Sequence, residues 1–546
     1  MNTESSGVYR WSVLGILMVG TFTIMLNSSI VNIALPHMMS TFGVNRNQIE
    51  WVTTGFMLTS AVAMPLVGWV VGRIGTKALY LISLVAFCFG TITCAISWDY
   101  NSMIFARAIQ AIGAGGMQPV GMAMIASLFE PHERGKTLGI WATGIMLGPA
   151  VGPTLGGYLT DWLSWRSIFW VNLPPGLFAL VAGALAIKSE KDTPRARVPF
   201  DWWGYIFLSI VLIAGLLALS KGQDKGWQSE YIRTCLILSF VGLVMFITVE
   251  SSIKHPLLDL KLFLFRNYSI GVTMAIFRGV GLFGMMFLLP IFLQNLGGYT
   301  AIQAGILMMP SAVVMLVAMP LAGRMADRYD PRVLVTIGTI VTGCSLIYFG
   351  NLDPISSIAM IVVPQIVRGL GIALMISPIM ATTINAVPPQ QVPMASSFLN
   401  VAQRIGGSFG IAFINTFVTN SIVKQTTRLS ELVGTQSQTM HHATGEIAES
   451  VSRLILGLSS TPHTSETFLF SIFRHIHDMP SSDHFRGIIV LLRIISHKAS
   501  VIGFEHGFVL SGIIVLCGLP LCLMLKMGWY QSDESQGDRN QKSSES

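Results

Sequence analysis

Apolar stretches long enough to cross a lipid bilayer recur along almost the whole chain, and this recurrence fixes what the chain can fold into. A hydrocarbon layer of roughly 30 Å takes about 20 helical residues. Fourteen such runs are read, at 11–35, 51–72, 78–97, 102–128, 137–160, 165–187, 203–220, 232–253, 269–295, 302–326, 332–350, 356–384, 394–423 and 499–525. In hydrocarbon each backbone donor and acceptor must be satisfied within its own segment, so runs of this kind become helices. Hydrophobic residues make up 52% of the chain and charged residues 11%, with a mean hydropathy of +0.62, far from soluble usage. The expectation is an all-α integral membrane protein.

Charge orients it. With both termini cytoplasmic, the cytoplasmic segments hold eighteen Lys and Arg, whereas the short outer loops hold five: Arg46, Arg166, Lys221, Lys225 and Arg233. The net charge of +7 then reads as contact with an anionic lipid leaflet, with no need to invoke nucleic acid. The N-terminus, MNTESSGVYRW, has no small-residue cleavage site after its apolar run, so the first run is read as retained. All six cysteines (Cys88, Cys94, Cys235, Cys344, Cys517, Cys522) fall inside runs and imply no disulfide framework.

Internal repetition organises the chain. GWVVGRIGTKAL (68–79) after the second run and GRMADRYDPRVL (323–334) after the tenth share a Gly leaving a helix, a basic pair and a helix restart. RAIQAIGAGG (107–116) and RGLGIAL (368–374) pair likewise. Runs one to six then match runs nine to fourteen, giving a six-helix bundle at 1–187, a linker with two inserted helices at 188–254, and five helices of a second bundle at 255–423. The sixth follows at 499–525, and a polar cytoplasmic tail at 526–546. The stretch 424–498 is read as an extracytoplasmic loop. It carries seven of the eleven histidines (His441, His442, His463, His475, His477, His484, His497), open to a solvated-loop, metal-binding or pH-sensing reading. Within it HFRGIIVLLRIISH (484–497) is read as an interfacial or docking helix.

The fifth run contains GIMLGPAVGPTLGG, five glycines and two prolines in a segment that must be helical. Gly144, Gly148, Gly152 and Gly156 repeat every four residues, drifting about 40° per step on a 3.6-residue helix, and so form a smooth, slowly winding stripe. Such a stripe admits another helix backbone to backbone. Pro149 and Pro153 each remove a ladder donor and bend the helix. The stripe is expected to pack against a helix of the other bundle.

Charges inside the runs are few. Arg107, Arg278, Arg368 and Arg404 would each cost several kcal/mol against lipid, so each is expected to face the bundle interior or a wet cavity. Arg278 lies about nine residues into its run, near the midplane where transporters place their sites, and is read as a substrate or ion residue or a tether to backbone carbonyls. No run has an acid near its centre; the nearest proton-carrying candidates are Glu505 beside His506, then Asp161 and Glu50 at run ends.

With the motifs GWVVGRIGTKAL, GIMLGPAVGPTLGGYL, LSWRSIFWVNLPPG (163–176), LNSSIVNIALP (26–36), QIEWVTTGFML (48–58), LPIFLQNLGGYTAIQAGILMMP (289–310) and NVAQRIGGSFGIA (400–412), the chain resembles the major facilitator superfamily. The similarity is to its fourteen-span drug:proton antiporter branch, over about residues 11–423 and the final run. The resemblance implies the major facilitator fold and export of amphipathic small molecules by alternating access, coupled to proton influx across the plasma (inner) membrane. Lipid, substrate and protons are then the partners, a periplasmic adaptor protein is an option the resemblance opens, and no cofactor or metal is implied. It makes Gly144 to Gly157, with both prolines, the antiporter signature that seals the bundle interface. Gly68, Arg73, Gly75 and Lys77, with Arg324, Asp327 and Arg328 in the repeat, become cytoplasmic latches. It also makes Arg107 and Gln110, with Arg404, cavity residues.

Departures from the family pattern shape the reading. Gly72 stands where an acid is usual, whereas Asp327 keeps the acid in the repeat; Ala111 replaces a usual Gly; Gln403 and Arg404 appear in reversed order. Asn27 stands where the first span commonly has Asp, and Arg278 is added. Asn27 and Asn32 are read as hydrogen-bonding substrate or a neighbouring helix, and any charge presented to the cavity is positive, which favours a neutral or anionic amphipathic substrate.

Four other readings compete with the proton-coupled exporter: an uncoupled or differently coupled exporter of anionic metabolites or lipid-like molecules, a membrane enzyme acting on lipid, an ATP-driven pump, and a non-transporting membrane sensor. The enzyme reading lacks a convergent nucleophile and base in the runs. An ATP-driven pump is disfavoured, since ERGKT (133–137) has Glu130 where a phosphate loop needs its first Gly.

Overall fold

The computed structural model describes residues 3–188, 199–253, 256–354, 356–434 and 483–525, and every regular element among them is helical. The first group is α1 (Thr3–Phe42), α2 (Trp51–Ala63), α3 (Leu66–Ile74), α4 (Thr76–Ala95), α5 (Tyr100–Leu128), α6 (Arg134–Trp162) and α7 (Leu173–Ala186). An inserted pair follows, α8 (Trp202–Lys225) and α9 (Glu230–Ser252). The second group is α10 (Arg266–Asn295), α11 (Ala301–Ala326), α12 (Pro331–Tyr348), α13 (Ile358–Asn385), α14 (Val392–Gly434), α15 (Asp483–Leu516) and α16 (Leu519–Met524).

Among the described residues twelve helices are long and apolar enough to cross a membrane, and α2 with α3, bent by 54° at their junction, form a thirteenth. The remaining run of the fourteen is α14. At 43 residues it has ample length, but its polar content, including Asn400, Gln403 and Arg404, keeps it from passing as apolar. Asp99 starts α5 with a capping box: its carboxylate accepts from Ser102 N at 2.9 Å while Ser102 Oγ accepts from Asp99 N at 3.1 Å. Hydrogen bonding from the Ser102 side chain, then from its backbone N, holds the Asp99 carboxyl below the usual carboxylate range.

Glycines set the packing within each half, and they do so twice. A Cβ added to Gly144, Gly148, Gly152 or Gly156 of α6 would stand only 2.5 to 2.8 Å from Met18, Met25, Leu26, Ser29 or Ile30, all of α1. In the second half Gly406 and Gly410 of α14 meet Ile276 and Val280 of α10 in the same manner. Gly113 of α5 lies against Phe87 of α4, and its counterpart Gly371 of α13 lies against Thr342 of α12. The four-residue stripe on α6 is therefore an internal joint of the first half, contrary to its expected place between bundles. The reason is geometric: α6 turns this stripe to α1, while its N-terminal turns carry a separate pair, Gly135 and Gly139, toward the other half. Gly157 faces open space. The helix runs unbroken through Pro149 and Pro153.

The segment 484–497 also differs from expectation. It is helical, but it is the first part of α15, continuous with the last span and not a separate docking helix. α14 likewise continues past 423 to Gly434, so the stretch 424–498 is helical at both ends. His441, His442, His463, His475 and His477 and the tail beyond Leu525 lie outside the described residues. All six cysteines are free thiols, with Cys344 and Cys517 exposed.

Candidate functional site: buried arginines and the seams between the halves

Arg107, two turns into α5, is 1% exposed. Its Nε donates to Val52 O at 3.0 Å, its Nη1 to Gln110 Oε1 at 2.6 Å, and its guanidinium lies 4.2 Å from the Phe56 ring centre. Gln110 Nε2 in turn donates to Thr91 Oγ1 at 2.7 Å and to Asn27 Oδ1 at 3.3 Å. The charge is held by neutral dipoles and a ring face, which tether it firmly to α2. Asn27 is fully buried, and its Nδ2 has no partner. Asn32 is exposed and accepts from Thr53 Oγ1 at 3.2 Å.

The second half repeats this arrangement with the order reversed. Gln365, Arg368 and Gly371 hold the spacing of Arg107, Gln110 and Gly113, but the arginine now follows the glutamine. Arg368 Nη2 donates to Gln365 Oε1 at 2.7 Å and to Ser311 Oγ at 3.2 Å. Arg278 on α10 sits two residues beyond Ile276, which packs on Gly406, just as Asn27 sits two residues beyond Met25, which packs on Gly148. Arg278 is 2% exposed, and only Nη2 has a partner, Gln403 Oε1 at 2.5 Å. Its Nε and Nη1 are unpaired. Arg404 is half-buried. Among the described residues no ion pair reaches any of these four arginines. A buried guanidinium with two idle donors and no counter-charge is a strong pull on an anionic group.

Two seams join the halves at the end where the loops 68–79 and 323–334 lie. At the α6–α11 seam, Asp327 reaches across and accepts from Gly135 N and Lys136 N, both at 2.8 Å. This caps the N-terminus of α6, where unpaired donors and the helix dipole favour an anion. Burial pushes the Asp327 carboxyl up to about 6, against the pull of those two donors. Ser377 Oγ donates to Gly135 O at 2.9 Å, and Arg134 Nη1 donates to Asn385 Oδ1 at 2.8 Å. Beside this contact Lys136, Arg324, Arg328 and Trp11 help line a cavity of about 350 Å³.

At the second seam α14 meets α3 and α5. Met394 lies against Gly68, where a Cβ would stand 3.0 Å from its own Cβ, and Ser397 Oγ donates to Met64 O at 2.6 Å. No cross-half latch forms from the basic residues of the first loop. Arg73 stacks on Trp69 of its own helix at 4.8 Å, and Lys77 Nζ donates to Ala184 O at 3.0 Å, the C-terminal turn of α7 in the same half. With Gly72 in place of an acid, the loop has nothing to extend to the other half. Gly75, at a φ of 84°, makes the turn between α3 and α4.

The four proton-carrying candidates fall at three separate places, with only Glu505 and His506 side by side. Glu50 pairs with Lys221 of α8, a lysine only 7% exposed. Asp161 is exposed at the end of α6. Glu505 is half-buried beside the turn at Gly350, and His506 Nδ1 shares a hydrogen bond with Ser421 Oγ at 2.9 Å on the exposed surface. Sequence reasoning missed Asn385 and Trp227, whose Nε1 donates to Thr416 Oγ1 at 2.8 Å, because neither stands in a motif. It also missed that the polar end of the linker, FDWWG, carries a buried acid, Asp201. The buried Glu250 facing it, near the end of the eighth run, was a visible signal.

Residues 17–411 match the family model described as Major Facilitator Superfamily. Among relatives, the uncharacterized MFS-type transporter YhcA of Bacillus subtilis strain 168 is 31% identical over 96% of this chain and 94% of its own length. The multidrug export protein EmrB of Escherichia coli strain K12 is 30% identical over 80% of this chain and 82% of its own. Among solved structures, the proton:xylose symporter XylE superposes with a TM-score of 0.55 at 15% identity, covering 76% of this chain and 90% of that one.

Proposed function

Since the chain belongs to the major facilitator superfamily, we propose that it is a secondary transporter that exports amphipathic small molecules by alternating access of its two six-helix bundles. The seam contacts at Asp327 shut one end, and the cycle consists of breaking them and making others at the far end. The excess of Lys and Arg in the loops at this end assigns it to the cytoplasm. The membrane is then the plasma (inner) membrane, both termini lie inside, and the shut end faces the cell interior. Export is in keeping with the multidrug export protein among the relatives, and in this reading proton influx drives it. Glu505 with His506, and Glu50, remain the carriers this reading assigns among the sequence candidates.

The observation that carries the substrate class is Arg278. Its partly bonded guanidinium, with Asn27 at the equivalent place in the first half and no acid paired to either, favours a neutral or anionic amphiphile over a quaternary cation. The test is flux of an anionic and a cationic fluorescent amphiphile in proteoliposomes, with and without an imposed pH gradient. The expected result is gradient-driven transport of the anion that falls roughly tenfold to a hundredfold in Arg278→Ala, the worth of one or two hydrogen bonds to a charged group. Gradient-driven transport of the cation alone, unchanged by Arg278→Ala, refutes the substrate class; flux of neither probe, or flux indifferent to the gradient, refutes the coupled exporter.

A further inference from the structure

The inserted pair carries two acids that no ion pair explains. Asp201 precedes α8 and is 7% exposed; Glu250 stands near the end of α9 and is 4% exposed. They meet over Gly204, where an added Cβ would collide with Asp201 Oδ2 and stand 3.0 Å from Glu250 Oε1. Asp201 Oδ1 caps α8 by accepting from Gly204 N at 2.8 Å, and Glu250 Oε1 accepts from Leu258 N at 3.2 Å. The second oxygen of each, Asp201 Oδ2 and Glu250 Oε2, is buried without a partner.

Two buried carboxylates this close, with an unpaired oxygen on each, repel one another and forfeit solvation. Among the described residues their surroundings offer no relief. Asp259, in the turn that packs over the pair, is a third acid, engaged by Lys261 N at 3.0 Å and Gln391 Nε2 at 3.5 Å. The Lys261 side chain is exposed, Arg73 is stacked on Trp69, and Tyr205 offers only a phenol. Among the described residues no cation pairs with either acid.

We propose that Asp201 and Glu250 form a proton-binding site, holding one proton between them at neutral pH. Asp201 caps the N-terminus of α8, where a negative group is favoured. Glu250 carries the proton. The site ties the ends of α8 and α9 together beside the second seam, where Phe200 packs on Trp69 of α3 at 4.8 Å and Asp259 N donates to Met394 Sδ of α14 at 3.4 Å. Protonation thus bears on the helices that flank the junction of the halves, whichever substrate is carried.

Infrared difference titration of the full-length protein in lipid nanodiscs, between about pH 6 and pH 9, tests this without any transport assay. The expected result is a carboxylic-acid carbonyl band at neutral pH that disappears on alkalinisation. It should be absent in Glu250→Gln and shifted to a lower midpoint in Asp201→Asn, where the like charge is gone. The thermal midpoint of the wild type should fall as pH rises through the same transition, since a proton bound more tightly in the folded state is lost there; Glu250→Gln should not show that fall. No band at neutral pH, or a band unchanged in Glu250→Gln, overturns the proposal. So does a midpoint that drops when sodium replaces N-methylglucamine, which would make the pair a metal-cation site.

Discussion

The two seams are built to one plan and finished differently. Met319, Gly323 and Asp327 of the second half stand where Met64, Gly68 and Gly72 stand in the first, and each set faces the start of the partner's glycine-bearing helix. At the α6–α11 seam the approach is backbone to backbone: Gly135 and Gly139 meet Gly323 and Met319, and Asp327 adds the cap. At the α3–α14 seam the glycine partner is Met394, the acid is missing, and α8 packs alongside. Leu216 of α8 joins Leu58 and Ala61 of α2, and Lys221 pairs with Glu50. A contact of small residues and one carboxylate is readily broken and remade, whereas side-chain packing with an extra helix resists separation. In the proposed alternating-access cycle, this asymmetry assigns the gate to the α6–α11 seam and the hinge side to the α3–α14 seam.

The largest effect should come from adding bulk at the gate. Gly139→Leu would drive a side chain into Met319 O and to within 2.8 Å of Ser377 Oγ. Overpacking of this kind costs about 1 to 3 kcal/mol, which disfavours closure roughly 5- to 150-fold. Flux measurements should show transport lost with insertion intact, while Gly157→Leu, pointing into open space, should transport normally. Gly148→Leu sharpens the contrast: because that glycine packs on α1 of its own half, its substitution should lower the yield of folded protein and leave no properly assembled transporter to assay. Equal behaviour of Gly139→Leu and Gly157→Leu would break the distinction between gate and surface.

A smaller effect is expected at Asp327. Asp327→Ala leaves the donors of Gly135 and Lys136 uncapped, worth about 1 kcal/mol, or a roughly fivefold shift toward the open gate. The pH response has a definite sign. The closed gate raises the Asp327 carboxyl to about 6 from its ordinary 3.8, so the closed state binds the proton more tightly. Closure is therefore favoured as pH falls from about 7 toward 5, and that advantage is lost as pH rises through about 6. Asp327→Asn should abolish the dependence in accessibility labelling at the gate; a gate that opens on acidification would contradict it.

Much of this fold could be read from the chain because bilayer physics leaves little choice. Uninterrupted apolar runs gave helices near their expected bounds, and the repeated loops 68–79 and 323–334 correctly set Asp327 against Gly72. The facing of α6 was harder. A glycine every fourth residue announces a close approach but does not name the helix that approaches, and α1 rather than the other half supplies it. The split of labour between Gly135 or Gly139 and the later stripe depends on where α6 crosses each neighbour, which periodicity does not encode. Arg107 and Arg278 illustrate the same limit at single residues. Both were expected inside, yet only tertiary structure shows the first fully engaged by Val52 O, Gln110 and Phe56 and the second left with two free donors.

The central claim, that the α6–α11 seam opens and closes during transport, is tested most directly by a distance across it. Spin labels at His132 and Arg328, which line the cavity on opposite sides of the seam, would be followed by pulsed dipolar spectroscopy in lipid nanodiscs. The account predicts two separations, a short one matching the closed gate and a longer one whose population grows with saturating substrate and in Asp327→Ala. One short separation, unmoved by substrate, pH or Asp327→Ala, would contradict it.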